Sequence, residues 1–303
     1  MFIGGVLVSL LLYVLGISIF IITAYSLRRI STLRVKRIAK LIYLHLRPNF
    51  QKKSTQVDFQ FFLFNYLYRF LTFSVEFFLV SFAVLKLKDV FPLFNSWAEL
   101  LRISNPYFTV LVLLFVYDFS LYWIHRAYHS SYLWRFHVIH HYGRQMNIFT
   151  SRREHPFDLT SKGAAFVMIV VSLLINPVQD IHKIHGWSDY LSVNQHIFIV
   201  NLIVLFIVKI IPAINHSNIY LNYPGFLRYI FVSPVHHTIH HARNIPNKNF
   251  GGFLSLWDYL FGTFVNVPNK SFFKSVNKSL GVSNVGDQDI SNIIDALVHP
   301  FKR

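Results

Sequence analysis

Apolar and polar residues follow one another along this chain in long blocks rather than at short periods. An uncharged apolar run, Phe2 to Tyr25, leads directly into a basic stretch with Arg28, Arg29, Arg34, Lys36, Arg37 and Lys40. Further apolar blocks lie within Phe59 to Leu85, from Phe108 to Ile124, from Ala164 to Ile175 and from His196 to Ile211. Several approach the roughly 20 residues that a helix needs to cross a hydrocarbon core. Only helices and closed barrels satisfy backbone groups in lipid. The pattern therefore predicts an all-α protein, a polytopic transmembrane helical bundle. Lys86 to Asn105, interrupted by Pro92 and closed off by Pro106, reads as a loop.

Charge orients this bundle. Basic residues follow the first apolar run instead of preceding it, so the run reads as a retained signal anchor whose N-terminus faces away from the cytoplasm. Counting crossings from the basic segment, the third block delivers His125 to the cytoplasmic side and the fifth delivers His216 there too. Asn176 to Tyr190 is either an external loop or a re-entrant turn, with the same parity. From Asn215 onward no long apolar run remains, which predicts a cytoplasmic helical cap. No repeat or linker divides the chain. Residues 1–303 read as one membrane domain: anchor and basic segment over 1–56, transmembrane core over 57–214, and cap over 215–303.

Composition narrows the classes. Only 14% of residues are charged against 53% hydrophobic, roughly half the charge share of a soluble domain. A net charge of +16 would suggest nucleic acid in a soluble protein. Here it sits beside apolar spans, as positive-inside asymmetry and anionic headgroups require, so nucleic-acid binding is set aside. Cysteine is absent, which excludes disulfides, thiolate-held clusters and cysteine nucleophiles. Any metal must be held by nitrogen or oxygen.

Histidine is the candidate chemistry. His125 and His129 stand four apart, one turn above the other on a helix face. His137, His140 and His141 form an HxxHH triplet, and His237, His240 and His241 repeat it. A single histidine at a headgroup boundary is more often an amphipathic interface residue than a ligand, but two identical triplets on one side of a membrane are not explained that way. Together with His216 these make nine imidazoles, about twice what one first-row metal accepts, and so point to two metal ions; imidazole alone does not choose the element.

The segments YDFSLYWIHRAYH, LWRFHVIHH, NHSNI, SPVHHTIHHARN and NFGGFLSLWDYLFGTF, over about Tyr117 to Phe264, resemble the successive motifs of the fatty acid hydroxylase/sterol desaturase superfamily. That resemblance implies a non-haem di-iron centre at the cytoplasmic face that activates dioxygen and oxidises an alkyl chain of a membrane lipid. It implies as ligands His125, His129, His137, His140, His141, His216, His237, His240 and His241. His236 falls outside the spacing. Some members carry a further histidine near the position of His216, where this chain has Asn215 and Asn218. His182 and His185 fall on the other side by the crossing count, and His45, His196 and His299 are isolated.

Metal-bound imidazoles usually donate their other N–H to a carboxylate or carbonyl. Asp118, two turns before His125, is one candidate for that role, since a carboxylate in a membrane helix is costly; His155, Asp158 and Asp258 are others, with Glu154 beside them. Asp258 is equally suited to tying down the cap. No substrate residues are assigned, and hydroxylation and desaturation are not distinguished. Without a haem, nucleotide or cysteine motif on the chain, an external electron donor of the cytochrome b5, ferredoxin or flavin-reductase type is expected. Rival readings are a haem-ligating electron-transfer protein and a membrane metallohydrolase. The latter normally keeps a carboxylate beside its ligands, which the boxes lack. Absent cysteine and abundant Ile, Asn and Lys favour a bacterial inner membrane over an endoplasmic reticulum.

Overall fold

A computed structural model describes residues 49–90, 106–163, 210–282 and 292–302. Within them the chain is helical, without a strand; two isolated bridges, Phe231 with Leu254 and Ala242 with Leu280, are the only β-type pairings. The anchor run, the fourth block, nearly all of the fifth, the turn at 176–190, and His45, His182, His185 and His196 lie outside the described residues.

Helix α1, Lys53–Val90, spans 38 residues and so about 57 Å. It carries the second apolar block and continues through Lys86 to Val90, where the breakers suggested a loop. No proline falls within Lys53 to Val90, so nothing in the backbone forces the helix to stop at Lys86. Helix α2, Pro106–Tyr128, opens on a proline and carries the third block. Both expose apolar side chains: Leu63, Leu67, Leu71, Val75, Phe78, Leu79 and Phe82 on α1, and Leu111, Phe115, Val116, Phe119 and Trp123 on α2. Among the described residues no helix is long and apolar enough to cross a membrane.

The start of α1 is locked both to α3, Trp134–His141, and to the loop that leaves it. Val57 and Phe61 pack against Val138 and Ile139 of α3 and Ala296 of α9, Ile293–Val298. The buried Asp58 carboxylate meets Arg153 at 3.2 Å and accepts from Asn147 Nδ2 at 2.5 Å and Thr150 Oγ1 at 3.1 Å. Two turns on, Asn65 Nδ2 donates to the carbonyls of Arg152 and Glu154 at 2.7 and 2.9 Å. The loop between α3 and the helical stretch 156–163 thus has its backbone partners supplied by α1.

From Ile211 to Lys278 the helices are short: α4, Ile211–Asn215; α5, Leu227–Ile230; α6, Pro234–His240; α7, Leu256–Leu260; and α8, Lys270–Lys278. Each is too short to be stable alone, so packing holds it. Val235, Ile239 and Ala242 of the α6 region pack with Val267, Phe273 and Val276, seating α8 on α6. Asn269 caps α8 by accepting from Phe272 N at 2.9 Å.

A candidate dimetal centre

The histidine spacing works because α3 and α6 face each other. On a helix, residues four apart share a face while the one three along points to its side. In α3 the i, i+4 pair is His137 and His141; in α6 it is His237 and His241. His137 and His141 gather with His125, His129 and His240, whereas His237 and His241 gather with His140 and His216. Each triplet therefore gives its pair to one group and its middle histidine to the other. Within each group one nitrogen per ring lies within 4.8 Å of all the others. The groups are adjacent, since the His141 and His241 rings stack at 4.4 Å and the His137 and His140 rings lie 5.2 Å apart.

Backbone carbonyls orient the rings. Nδ1 of His125, His140, His216 and His240 lies 2.8, 3.2, 2.7 and 2.9 Å from the carbonyl oxygens of Phe250, Arg153, Pro212 and Lys248. A carbonyl only accepts, so these Nδ1 atoms carry the proton and each Nε2 keeps a lone pair turned inward. Burial holds these imidazoles below their ordinary range, His216 at about 4, so a second proton is disfavoured.

That leaves the Nε2 lone pairs of His140 and His216 facing each other in a run of close ring nitrogens. Nε2 of His140 is 3.1 Å from Nε2 of His216, which is 2.9 Å from Nε2 of His237, itself 3.2 Å from Nε2 of His241. In the other group Nε2 of His125 and His137 are 3.1 Å apart, and Nε2 of His129, His141 and His240 is buried without a hydrogen-bond partner. Nitrogen donors at right angles about 2.1 Å from one ion stand about 3.0 Å apart. The residues therefore fit two cations held by imidazole, five donors to one and four to the other.

Of the four outer candidates, Asp158 touches a clustered ring: its Oδ2 lies 2.7 Å from His137 Nδ1. Its Oδ1 meets Lys162 Nζ at 3.0 Å, and Lys162 also donates to Glu154 Oε1 at 2.7 Å. Burial pushes Asp158 up to about 7 against the pull of Lys162. Glu154 stays below its ordinary value because Lys162, together with Arg152 and Arg69, outweighs the cost of burial. Lys162 itself, with two carboxylates against the cost of burial, is held in its charged form. Sequence reasoning missed Lys162, although its position four residues after Asp158 and eight after Glu154 was the available signal.

The other three are placed elsewhere. His155 bonds with the Phe157 N–H and the Leu297 carbonyl, apart from the cluster. Asp118 accepts from Phe253 N, Leu254 N and Trp257 Nε1 at 2.9, 3.0 and 2.9 Å, so it binds the cap to α2. Asp258 accepts from Phe250 N, Gly251 N and Thr263 Oγ1 at 2.7, 2.8 and 2.7 Å. It fixes the segment whose Phe250 carbonyl faces His125, without touching the ring. Gly251 is required there, since a Cβ would lie 2.5 Å from the Leu254 carbonyl and 2.9 Å from Asp258. Asn247 and Asn249 adopt positive φ of 58° and 54°, the turn that presents the Lys248 carbonyl to His240. His236, beside His237 on α6, joins neither group; its ring lies 5.1 Å from Phe264.

Asp118→Asn is expected to destabilise the protein by about 2–4 kcal/mol, because an amide N–H₂ would confront donors that now meet a carboxylate oxygen. Thermal unfolding of the metal-free protein checks this, and a midpoint within error of the parent would contradict it.

A helical chain with two interlocked imidazole groups, each braced by outer acceptors, defines a histidine-box protein. Residues 110–263, just over half of the chain, match the family model described as fatty acid hydroxylase. The chain belongs to the fatty acid hydroxylase family. It is 28% identical over 173 residues to alkylglycerol monooxygenase of Caenorhabditis elegans, covering 56% of this chain and 30% of that protein. It is 30% identical over 199 residues to ornithine lipid hydroxylase OlsE of Rhizobium tropici, covering 65% and 51%. Over 202 residues it is 24% identical to lathosterol oxidase of Rattus norvegicus, covering 66% and 56%. The chain thus spans from about a third to just over half of the length of these curated relatives. No solved structure matches it.

Proposed function

We propose that this chain is a membrane-embedded di-iron oxygenase that uses O2 and externally supplied electrons to hydroxylate or desaturate the alkyl chain of a lipid. The observation that carries the reading is the convergence of nine inward-facing imidazoles into adjacent groups of five and four, a set that suits paired ions of an element at home with nitrogen ligands. His125, His129, His137, His141 and His240 would hold one iron, and His140, His216, His237 and His241 the other. When bound, the metal pair would supply the redox chemistry that activates O2 toward an unactivated C–H bond. Around it, the Phe250, Arg153, Pro212 and Lys248 carbonyls and Asp158 fix ring orientation, while burial of the rings keeps bulk water from the reacting atoms.

The names of the relatives, a monooxygenase, a hydroxylase and an oxidase of lipids, support an oxidative lipid activity. The apolar stripes exposed on α1 and α2 support burial of those helices in a bilayer, with the site at the C-terminal end of α2, on the cytoplasmic side by the crossing count. A bacterial inner membrane is the preferred setting, and the electrons come from a cytochrome b5, ferredoxin or flavin-reductase type of donor.

Two measurements test the reading together. Purified protein should carry about two iron ions per chain, one for each imidazole group. Lipid extracts of cells expressing it should gain a species heavier by one oxygen or lighter by two hydrogens, absent when His140 is replaced. Protein that binds only zinc, or an unchanged lipid profile from iron-loaded protein, would overturn the assignment.

A further inference from the structure

The proposed chemistry needs electrons from outside, and the cap offers a place to receive them. Residues 210–282 contain six cations, Arg228, Arg243, Lys248, Lys270, Lys274 and Lys278, against one acid, Asp258, which is buried under three donors. Three of the cations belong to α8, at i, i+4 and i+8, and form a row on one face of the helix. Lys270, Lys274 and Lys278 are all exposed, with the exposed Ser271 and Ser275 between them, while Phe273 and Val276 face the core. Among the described residues no carboxylate pairs with any of the three.

This row stands over the metal-site helix. Phe273 and Val276 pack on Val235, Ile239 and Ala242 of the α6 region, interleaved in sequence with His237, His240 and His241. The last turn of α8 is also stitched to the chain just past the ligands, because Arg243 N donates to the Ser279 carbonyl at 3.0 Å and Ala242 bridges Leu280. Arg243 is itself exposed and extends the positive surface. From Lys278 the covalent and hydrogen-bonded path to His241 passes only through Ser279, Arg243 and Ala242.

The surface lacks what a lipid-seated face carries. Interfacial helices place Trp, Phe or Leu opposite their lysines so that these enter the acyl boundary. Among the described residues, none of the exposed large apolar side chains falls between 262 and 293. Most of those in the neighbouring cap gather instead at Phe226, Tyr229, Tyr259, Leu260 and Phe261, the last in ring contact with Trp123 of α2 at 5.0 Å, while Tyr220, 5.4 Å from the Phe273 ring, and Leu221 stand apart from that edge. The cap thus keeps an aromatic edge against the apolar helix, and α8 presents its lysine row without an exposed large apolar side chain of its own.

We infer that the Lys270, Lys274 and Lys278 row, with Arg243, is the docking surface for a small acidic electron-carrier protein, which passes electrons through α6 to the dimetal centre. The inference rests on the oxygenase reading. Complementary charge steers such transient encounters and makes them salt-dependent.

The test uses the full chain, iron-loaded, in nanodiscs, with two probes: an acidic [2Fe–2S] ferredoxin and the acidic soluble domain of a cytochrome b5. The parent should bind at least one of them, more weakly as ionic strength rises. Lys270→Gln, Lys274→Gln and Lys278→Gln together should weaken that binding at least about tenfold and flatten its salt dependence. Iron content and reduction by dithionite should be unchanged, because the three side chains touch no ligand. Lys274→Glu alone should give an intermediate loss. A parent that binds neither carrier, or carrier binding unaffected by the triple substitution, overturns the inference. So does a triple variant that loses only its affinity for phosphatidylglycerol vesicles, which would assign the row to headgroups. Absence of iron from the parent would instead fail the oxygenase reading itself.

Discussion

Replacing His237 with alanine is expected to cut lipid oxidation by at least about 100-fold and to remove close to half of the bound iron, whereas replacing its neighbour His236 leaves the iron in place. The two residues are adjacent on α6 and equally buried in practice, at 6% and 1% exposure, so they control for each other. His237 Nε2 lies 2.9 Å from His216 and 3.2 Å from His241, which makes it the central donor of the four-imidazole group. Without it that group keeps three donors, and His216 loses the neighbour that completes its side of the site. His236 faces Phe264 instead, so His236→Ala opens a cavity beside an aromatic ring and costs stability rather than metal. Iron per chain, measured after gel filtration, separates the outcomes. Equal iron loss in both variants would mean that α6 tolerates no change and would erase the distinction between the two histidines; full iron in His237→Ala would remove His237 from the site.

The elements of this site were legible in the residue order because helix spacing is strict. An HxxHH triplet puts nitrogens on one side of a helix whatever surrounds it, and α3 and α6 form where the triplets stand. Spacing does not encode that the two helices face each other, so the exchange of His140 and His240 between the groups was out of reach. The acceptors behind His125, His140, His216 and His240 are backbone carbonyls, and a carbonyl leaves no mark in a residue pattern. Asp118 illustrates the opposite error. A carboxylate two turns before His125 has the right period to support an imidazole, yet its oxygens are taken by Phe253, Leu254 and Trp257, because a chain segment more than a hundred residues away folds back over α2. Contacts of that range arise from tertiary packing, to which local period is blind.

The second large effect concerns Asp158 and the Lys162 behind it, which itself pairs with carboxylates rather than with a histidine. Asp158 accepts from His137 Nδ1 at 2.7 Å and is held by Lys162 at 3.0 Å, while Lys162 also pairs with Glu154. Asp158→Asn is expected to lower iron affinity by about 10–100-fold, the usual cost of losing a ligand's outer partner. Lys162→Met should come close to the same loss. With the ammonium gone, Asp158 loses its cation while Glu154 keeps the pull of Arg152 and Arg69, and buried like charges cannot both stay ionised. Asp158 is the one to take the proton, since burial already pushes it up to about 7. Once neutral, it no longer reinforces the basicity of His137. Because both substitutions remove the same interaction, the double variant should be scarcely worse than either single one. Competition with a chelator at pH 7 measures the three affinities, and the midpoint potential of the bound iron should shift in the same order. Losses that simply add in the double variant, or a Lys162→Met protein with parental affinity, would show that Lys162 does not act through Asp158.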